Sequence, residues 1–189
     1  MTRSWRAADG SRALAVWRVT WRAVARILIV AGGCRGRQLA AVMVQEGYAV
    51  RITSRSEHSR AAIEASGAEC WIGTPDRLAT LRGALENVTI LCWLLGSAVG
   101  PAQDLRALHT SRLEFFLTQA IDTTVRGLVY EARAAAVSDE PLLREGEGIA
   151  RTLVERNAIP AAFLHADPSD SSGWLADARD SVLSMLIGA

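Results

Sequence analysis

The run ILIVAGGCRGRQLA at residues 27–40 constrains the fold of this chain more than any other segment. Its first part, Arg26–Ala31, is short, apolar and rich in β-branched residues, which is typical of a strand buried in a parallel sheet. Gly32 and Gly33 follow at once, and the next residues are apolar at helical spacing up to Gly47, a typical helix end. The segment therefore predicts a strand, a glycine turn and a helix.

The same alternation continues along the chain and defines the fold class. The other predicted strands are Tyr48–Thr53, Glu69–Ile72, Val88–Leu94, Val125–Tyr130 and Ile159–Leu164; the predicted helices are Gly36–Glu46, Glu57–Ser66, Asp76–Leu85, Gln103–Ala120, Arg144–Arg156 and Trp174–Ile187. Strands that alternate with helices predict an α/β fold, a doubly wound parallel sheet of the Rossmann type with helices on both faces. Right-handed crossovers favour six strands in the order 3-2-1-4-5-6.

Length and charge divide the chain into two parts. The 189 residues suit one domain, which we place at residues 25–189, and the net charge of +1 does not favour a nucleic-acid partner. Residues 1–24 form a leader rich in Arg and Trp. A signal peptide fits the leader poorly because Arg residues interrupt every apolar run. An amphipathic helix on a membrane or partner is a second interpretation. We favour a third, a poorly ordered extension, including the variant in which translation starts at Val24.

The cysteines predict neither a disulfide framework nor a metal site. Cys34, Cys70 and Cys92 are widely spaced in apolar surroundings, so we expect three buried free thiols, a usage that fits a reducing cytoplasm. No cluster has metal-ligand spacing, and no apolar run reaches the ~20 residues of a membrane span.

The glycine turn predicts a site for a dinucleotide. Gly32 and Gly33 suit a sharp turn because glycine adopts positive φ, and Gly36 lets the backbone approach a pyrophosphate. The following helix offers its free N–H groups to the phosphates. An ordinary turn with incidental glycines is the alternative, which the strand and helix on either side disfavour. The loop residues expected to bind the cofactor are Gly32, Gly33, Cys34, Arg35, Gly36 and Arg37.

The end of the second strand favours NADP(H) over NAD. An NAD site commonly has an acid about 20 residues after the glycines, but here Ser54 and Arg55 occupy that place. A guanidinium can hold a 2′-phosphate through two hydrogen bonds, and Arg35 would approach from the opposite side. The alternative interpretation is that Arg35 and Arg55 are ordinary surface arginines that contact solvent. Leu94, Leu95 and Gly96, at the end of the fourth strand, are expected to line the cofactor.

The spacing Gly33-x-x-Gly36-x-x-Leu39 resembles the glycine motif of extended and atypical short-chain dehydrogenases/reductases. The resemblance extends to the segments at residues 91–97, 125–135 and 146–167. It implies an NADP(H)-dependent oxidoreductase, with Asp76 as a displaced counterpart of the family's adenine-binding acid.

The chain departs from this family at the catalytic residues. The family uses a Ser after strand five and a Tyr-x-x-x-Lys pair, but this sequence contains no lysine, and strand five ends in Tyr130 and Glu131. We therefore assign no catalytic residue. Glu131 and His165 remain as a non-standard acid/base pair or as structural residues, while His58 and His109 are expected on helix surfaces. Because little chain follows strand six, the substrate pocket is expected to be small or shared within a homodimer.

Two functions remain open from the sequence. The first is an NADP(H)-binding reductase with non-standard catalytic residues. The second is a non-catalytic module that senses or carries the dinucleotide and acts through a protein partner. A sugar-nucleotide epimerase that has lost its activity is a weaker third. No residue pattern names a substrate.

Overall fold

The sheet has the predicted architecture. In this computed structural model, which describes residues 25–30 and 33–187, six parallel strands lie in the order β3-β2-β1-β4-β5-β6. The fold class and the strand order are thus confirmed. The strands are β1 (Arg26–Val30), β2 (Ala49–Ser54), β3 (Glu69–Ile72), β4 (Val88–Trp93), β5 (Gly127–Glu131) and β6 (Ala161–Leu164).

Helices cover both faces of the sheet. They are α1 (Cys34–Gln45), α2 (Arg60–Glu64), α3 (Ala102–His109), α4 (Ser111–Ile121), α5 (Glu140–Arg156) and α6 (Ser171–Ile187). Side chains of α1, α2 and α6, among them Met43, Ile63 and Trp174, form one apolar core. Phe116 of α4 and Ala150 of α5 belong to the core on the other face. Burial on both faces explains why the central strands are continuously apolar.

Two glycines end helices in the left-handed backbone conformation. Gly47 has φ +90° after α1, and Gly67 has φ +82° after α2. The N–H of Gly47 donates to the carbonyl of Val44 at 2.9 Å, and that of Tyr48 donates to Met43 at 3.0 Å. These bonds satisfy carbonyls that the helix leaves open, so the chain can turn directly into β2.

The predicted helix Asp76–Leu85 is wrong. The chain forms two 3₁₀ turns there, Leu78–Leu81 and Gly83–Leu85. Buried Arg51 donates to the carbonyl of Ala84 at 2.7 Å, so a side chain from β2 holds the end of this segment in place. A Cβ on Gly83 would also lie 2.7 Å from the indole of Trp71, and glycine weakens a helix in any case.

The predicted long helix Gln103–Ala120 is two helices. They meet at Thr110, whose φ of −121° and ψ of −97° are not helical. The hydroxyl of Thr110 donates to the carbonyl of Arg106 at 2.7 Å, which closes α3. At this break His109 is 2% exposed, so the expected surface position of His109 is wrong.

Two of the sequence predictions concern residues that the structure does not describe, and another concerns membrane spans. The leader at residues 1–24 and Gly32 lie outside the described residues. Of the helices that the structure describes, none combines the length and apolar character that crossing a membrane requires.

Candidate functional site

A cavity of about 770 Å³ opens at the carboxyl ends of β1 to β4. It is lined by the start of α1, the end of β2, the loops that follow β3 and β4, helix α3 and the ring of Trp174. The strand order reverses between β1 and β4, and ligands of open α/β sheets bind in the crevice at such a point. The cavity is therefore the candidate site.

Most of the residues predicted to bind a cofactor lie in the wall of this cavity. They are Gly33, Cys34, Arg35, Gly36, Ser54, Arg55, Asp76, Leu94 and Leu95. Arg37 and Gly96 are not among the lining residues. A Cβ on Gly96 would lie 2.5 Å from the carbonyl oxygen of Arg133, so this glycine permits close packing of two loops.

Gly33 contributes space to the cavity. It precedes α1 with φ −70° and ψ 178°, an extended conformation that any residue adopts, so the expectation that Gly33 needs positive φ is wrong. A Cβ at Gly33 would meet no atom within 4 Å. No described side chain caps the start of α1, and its first turn contains no acid. The N–H groups of this turn can therefore donate to an anion in the cavity.

Ser54 and Arg55 stand at the β2 side of the cavity. Arg55 is exposed, and it makes no hydrogen bond or ion pair with the residues that the structure describes. The Ser54 hydroxyl donates to the carbonyl of Ser56 at 2.9 Å and accepts its N–H at 3.2 Å. The serine thus shapes the turn, and the arginine supplies a cation at the edge of the cavity.

Arg35 reaches toward β5. Its Nη2 lies 2.8 Å from Oε1 of Glu131, and its guanidinium lies 4.8 Å above the ring of Trp174. Its Nη1 is buried and has no partner among the described residues. Arg35 lines the cavity, and the expectation that it approaches the ribose opposite Arg55 stays a prediction.

Glu131 is a buried junction of four elements. Its side chain is 1% exposed; Oε2 accepts the N–H of Gly96 at 2.7 Å, and Oε1 accepts Nε1–H of Trp174 at 3.0 Å as well as the contact from Arg35. Burial raises the pKa of this carboxyl, against the lowering effects of Arg35, the Gly96 N–H and Trp174. These bonds join β5 to α1, α6 and the loop after β4, which favours a structural role over an acid/base role.

The histidines divide between the surface and the core. His165 is 61% exposed and lies 3.5 Å from Glu147 on α5, so the structure does not place it beside Glu131. Nδ1 of His109 lies 3.1 Å from the hydroxyl of Tyr130. Burial lowers the pKa of His109 to about 4. No sequence pattern predicts this pair, because its two members come from different elements, α3 and β5.

The cysteines correct one further expectation. Cys70 and Cys92 are buried, but Cys34 is exposed at the start of α1, where it lines the cavity. Burial raises the pKa of the Cys92 thiol. Within the described ranges, no group of three His, Cys, Asp or Glu side chains is placed to hold a metal ion.

Comparison with known proteins finds a relative of low sequence identity. No protein-family model matches the sequence. The chain is 28% identical over 118 residues to the 4-hydroxy-2-methyl-3-oxo-4-farnesyl-3,4-dihydroquinoline-1-oxide ketoreductase of Stigmatella aurantiaca, and the match covers 61% of this chain and 35% of the ketoreductase.

Solved structures of reductases share the fold. Triphenylmethane reductase of Citrobacter sp., in complex with NADP(H), has a TM-score of 0.55 at 19% identity, over 74% of this chain and 48% of that chain. A structure from work on pinoresinol-lariciresinol and phenylcoumaran benzylic ether reductases has a TM-score of 0.55 at 16% identity, over 76% and 49% of the two chains. This chain therefore has the Rossmann-type fold of these reductases and spans about half of their length.

Proposed function

We propose that this chain binds NADP(H) at the cavity between the start of α1 and the end of β2. One observation carries the proposal: an open helix N-terminus and the exposed cation Arg55 line the same cavity at the point where the strand order reverses. The first suits a diphosphate, and the second suits a 2′-phosphate. A reductase solved with NADP(H) shares the fold.

Two features of the cavity fit the cofactor. The space that a Cβ would enter at Gly33 is open, and Nη1 of Arg35 is a buried donor without a described partner. Gly33, Gly36 and the first turn of α1 would hold the diphosphate, with Arg35 beside it. Arg55 would hold the 2′-phosphate, and Leu94 and Leu95 would pack on the adenosine, with Asp76 near the adenine. When bound, NADPH supplies a hydride.

The first prediction is a preference for the phosphorylated cofactor. NADPH is expected to bind at least ~10-fold more tightly than NADH, a difference of about 1.4 kcal/mol, because Arg55 pairs with the 2′-phosphate. Arg55→Ala is expected to remove the preference by weakening NADPH alone. Titration of tryptophan fluorescence measures both constants.

The matched control is Arg156→Ala, which removes another exposed arginine at the far end of α5. This variant is expected to keep the preference. Equal affinities of the original protein for NADPH and NADH would contradict the assignment of Arg55.

A reductase with non-standard catalytic residues is the second candidate function. The ketoreductase likeness favours it, and turnover of NADPH with a panel of carbonyl and quinone compounds tests it. The arrangement of Glu131 and His165 supplies no acid at the cavity. The free cysteines favour a reducing compartment, the cytoplasm, and a homodimer stays a prediction.

A further inference from the structure

The lining of the cavity comes from four of the six strands and the segments that follow them. Its walls come from β1 to β4 and the segments that follow them, from α3 and from Trp174. Among the described residues, none of β5, β6 or the loops after them belongs to its lining. A dinucleotide site of this fold consists of two mononucleotide-binding halves on either side of the point where the strand order reverses. The cavity extends over the first half and over β4 with the segment that follows it, and it stops before β5 and β6.

Two side chains stand where the cavity stops. The guanidinium of Arg35 lies over the ring of Trp174 at 4.8 Å, and both residues line the cavity. We refer to this pair as the Arg35–Trp174 wall. Trp174 is 1% exposed, so packing fixes the position of its ring. The wall occupies the space between the start of α1 and the end of β5.

Glu131 holds the wall in place from behind. One carboxylate oxygen accepts from both Arg35 and Trp174, and the other accepts from the N–H of Gly96. Moving Arg35 away would leave a buried carboxylate without its cation, which is strongly unfavourable. Burial of Glu131 and its contacts with both wall residues therefore stabilise the closed arrangement.

We propose that this chain recognises the 2′-phospho-ADP-ribose part of NADP(H) and leaves the nicotinamide outside a protein pocket. The inference rests on the proposed function, and it narrows the ligand class. Adenosine, the 2′-phosphate and the diphosphate make the contacts, while the Arg35–Trp174 wall closes the part of the second half beside β5. Binding is then insensitive to the oxidation state of the nicotinamide, and this chain does not position the nicotinamide for hydride transfer.

The test compares three ligands on the full chain by calorimetry. NADPH, NADP⁺ and 2′-phospho-ADP-ribose, which lacks the nicotinamide, are expected to bind within about threefold of one another. The emission of the reduced nicotinamide is expected to stay that of free NADPH, while tryptophan emission reports binding. NADPH or NADP⁺ binding more than about threefold tighter than 2′-phospho-ADP-ribose would overturn the inference and leave the proposed function intact. If none of the three binds, the proposed function fails, and the inference fails with it.

A double variant tests the wall itself. Arg35→Ala with Glu131→Gln removes both charges of the pair, so no buried charge is left alone. Both ligands share the phosphate contacts, so the ratio of their affinities reports the nicotinamide alone. The preference for NADPH over 2′-phospho-ADP-ribose is expected to rise at least about fivefold as the space beside β5 opens. An unchanged ratio in a folded double variant contradicts the role of the wall. Arg156→Ala is the control, and the ligand comparison on the original protein decides the question if the double variant fails to fold.

Discussion

Gly33 matters to the site through the atoms it lacks. Its backbone angles are open to any residue, and the space beside its Cα is empty. A larger residue would therefore keep the fold and project into the place of the phosphates. A substitution of Gly33 is therefore expected to change ligand binding much more than the stability of the fold.

Gly33→Val is expected to lower NADPH affinity at least ~10-fold and leave the melting temperature unchanged or slightly higher. The isopropyl group fills the phosphate position, while valine restricts the unfolded chain more than glycine does. Calorimetric titration and thermal unfolding measure the two effects. Gly148→Ala, on the exposed face of α5, is the control for affinity. Unchanged binding in Gly33→Val would show that no phosphate approaches this glycine.

His109 is expected to make the stability of the protein fall below neutral pH. The pKa of His109 is lowered to about 4 in the fold, whereas an unfolded chain protonates histidine near pH 6.5. Between these values the unfolded state binds a proton that the folded state does not, so the free energy of unfolding falls as the pH drops. The expected loss is about 2 to 3 kcal/mol from pH 7 to pH 4.5.

Urea unfolding of the original protein and of His109→Gln at both pH values isolates this effect. Carboxyl groups titrate in the same range, but they contribute to both proteins alike. An equal loss of stability in the two proteins would show that the imidazole of His109 is not the group responsible.

The spacing of residues along the sequence predicted which residues lie at the cavity. It did not predict which atoms their side chains contact. Gly33 and Arg55 follow strands whose ends meet at one edge, so their positions follow from the topology alone. Arg35 has a long side chain, and its direction depends on Glu131 and Trp174, which come much later in the chain. No pattern near Arg35 carries that information.

The strands were predictable elements because burial on both faces requires an apolar run, and β3 has the predicted bounds Glu69–Ile72. The helix boundaries were less predictable, because a break depends on single side-chain contacts that the apolar pattern does not show. Arg51 takes a carbonyl from the segment after β3, and Thr110 interrupts an apolar stripe that continues from α3 into α4.

Helix α5 contains two glycines whose replacement by alanine has opposite expected effects. A Cβ on Gly146 would clash with the hydroxyl of Tyr130 and lie 2.6 Å from the carbonyl oxygen of His109, so Gly146→Ala is expected to cost about 1 to 3 kcal/mol. A Cβ on Gly148 meets nothing within 4 Å, so Gly148→Ala is expected to gain about 0.5 to 1 kcal/mol. Urea unfolding measures both changes. Similar effects of the two substitutions would mean that α5 does not pack closely on Tyr130.

At the scale of the molecule, the six strands and both apolar cores lie within the described residues. Deletion of residues 1–24 is therefore expected to change the melting temperature by no more than a few degrees and to leave NADPH affinity unchanged. Thermal unfolding and titration of the shortened chain check this. A larger fall in melting temperature would show that the leader packs on the Rossmann unit.

The reversal of strand order beneath the cavity has a consequence for folding kinetics. Arg26 pairs with Ala49 in β2 but also with Val88 in β4, so the central pairing closes a loop of roughly sixty residues before its contacts form. The β1–β2 unit can assemble locally, whereas the cavity exists only after β4 has docked. We therefore expect nucleotide binding to appear late in refolding. Added nucleotide then stabilises the finished chain by mass action without accelerating the steps that precede it.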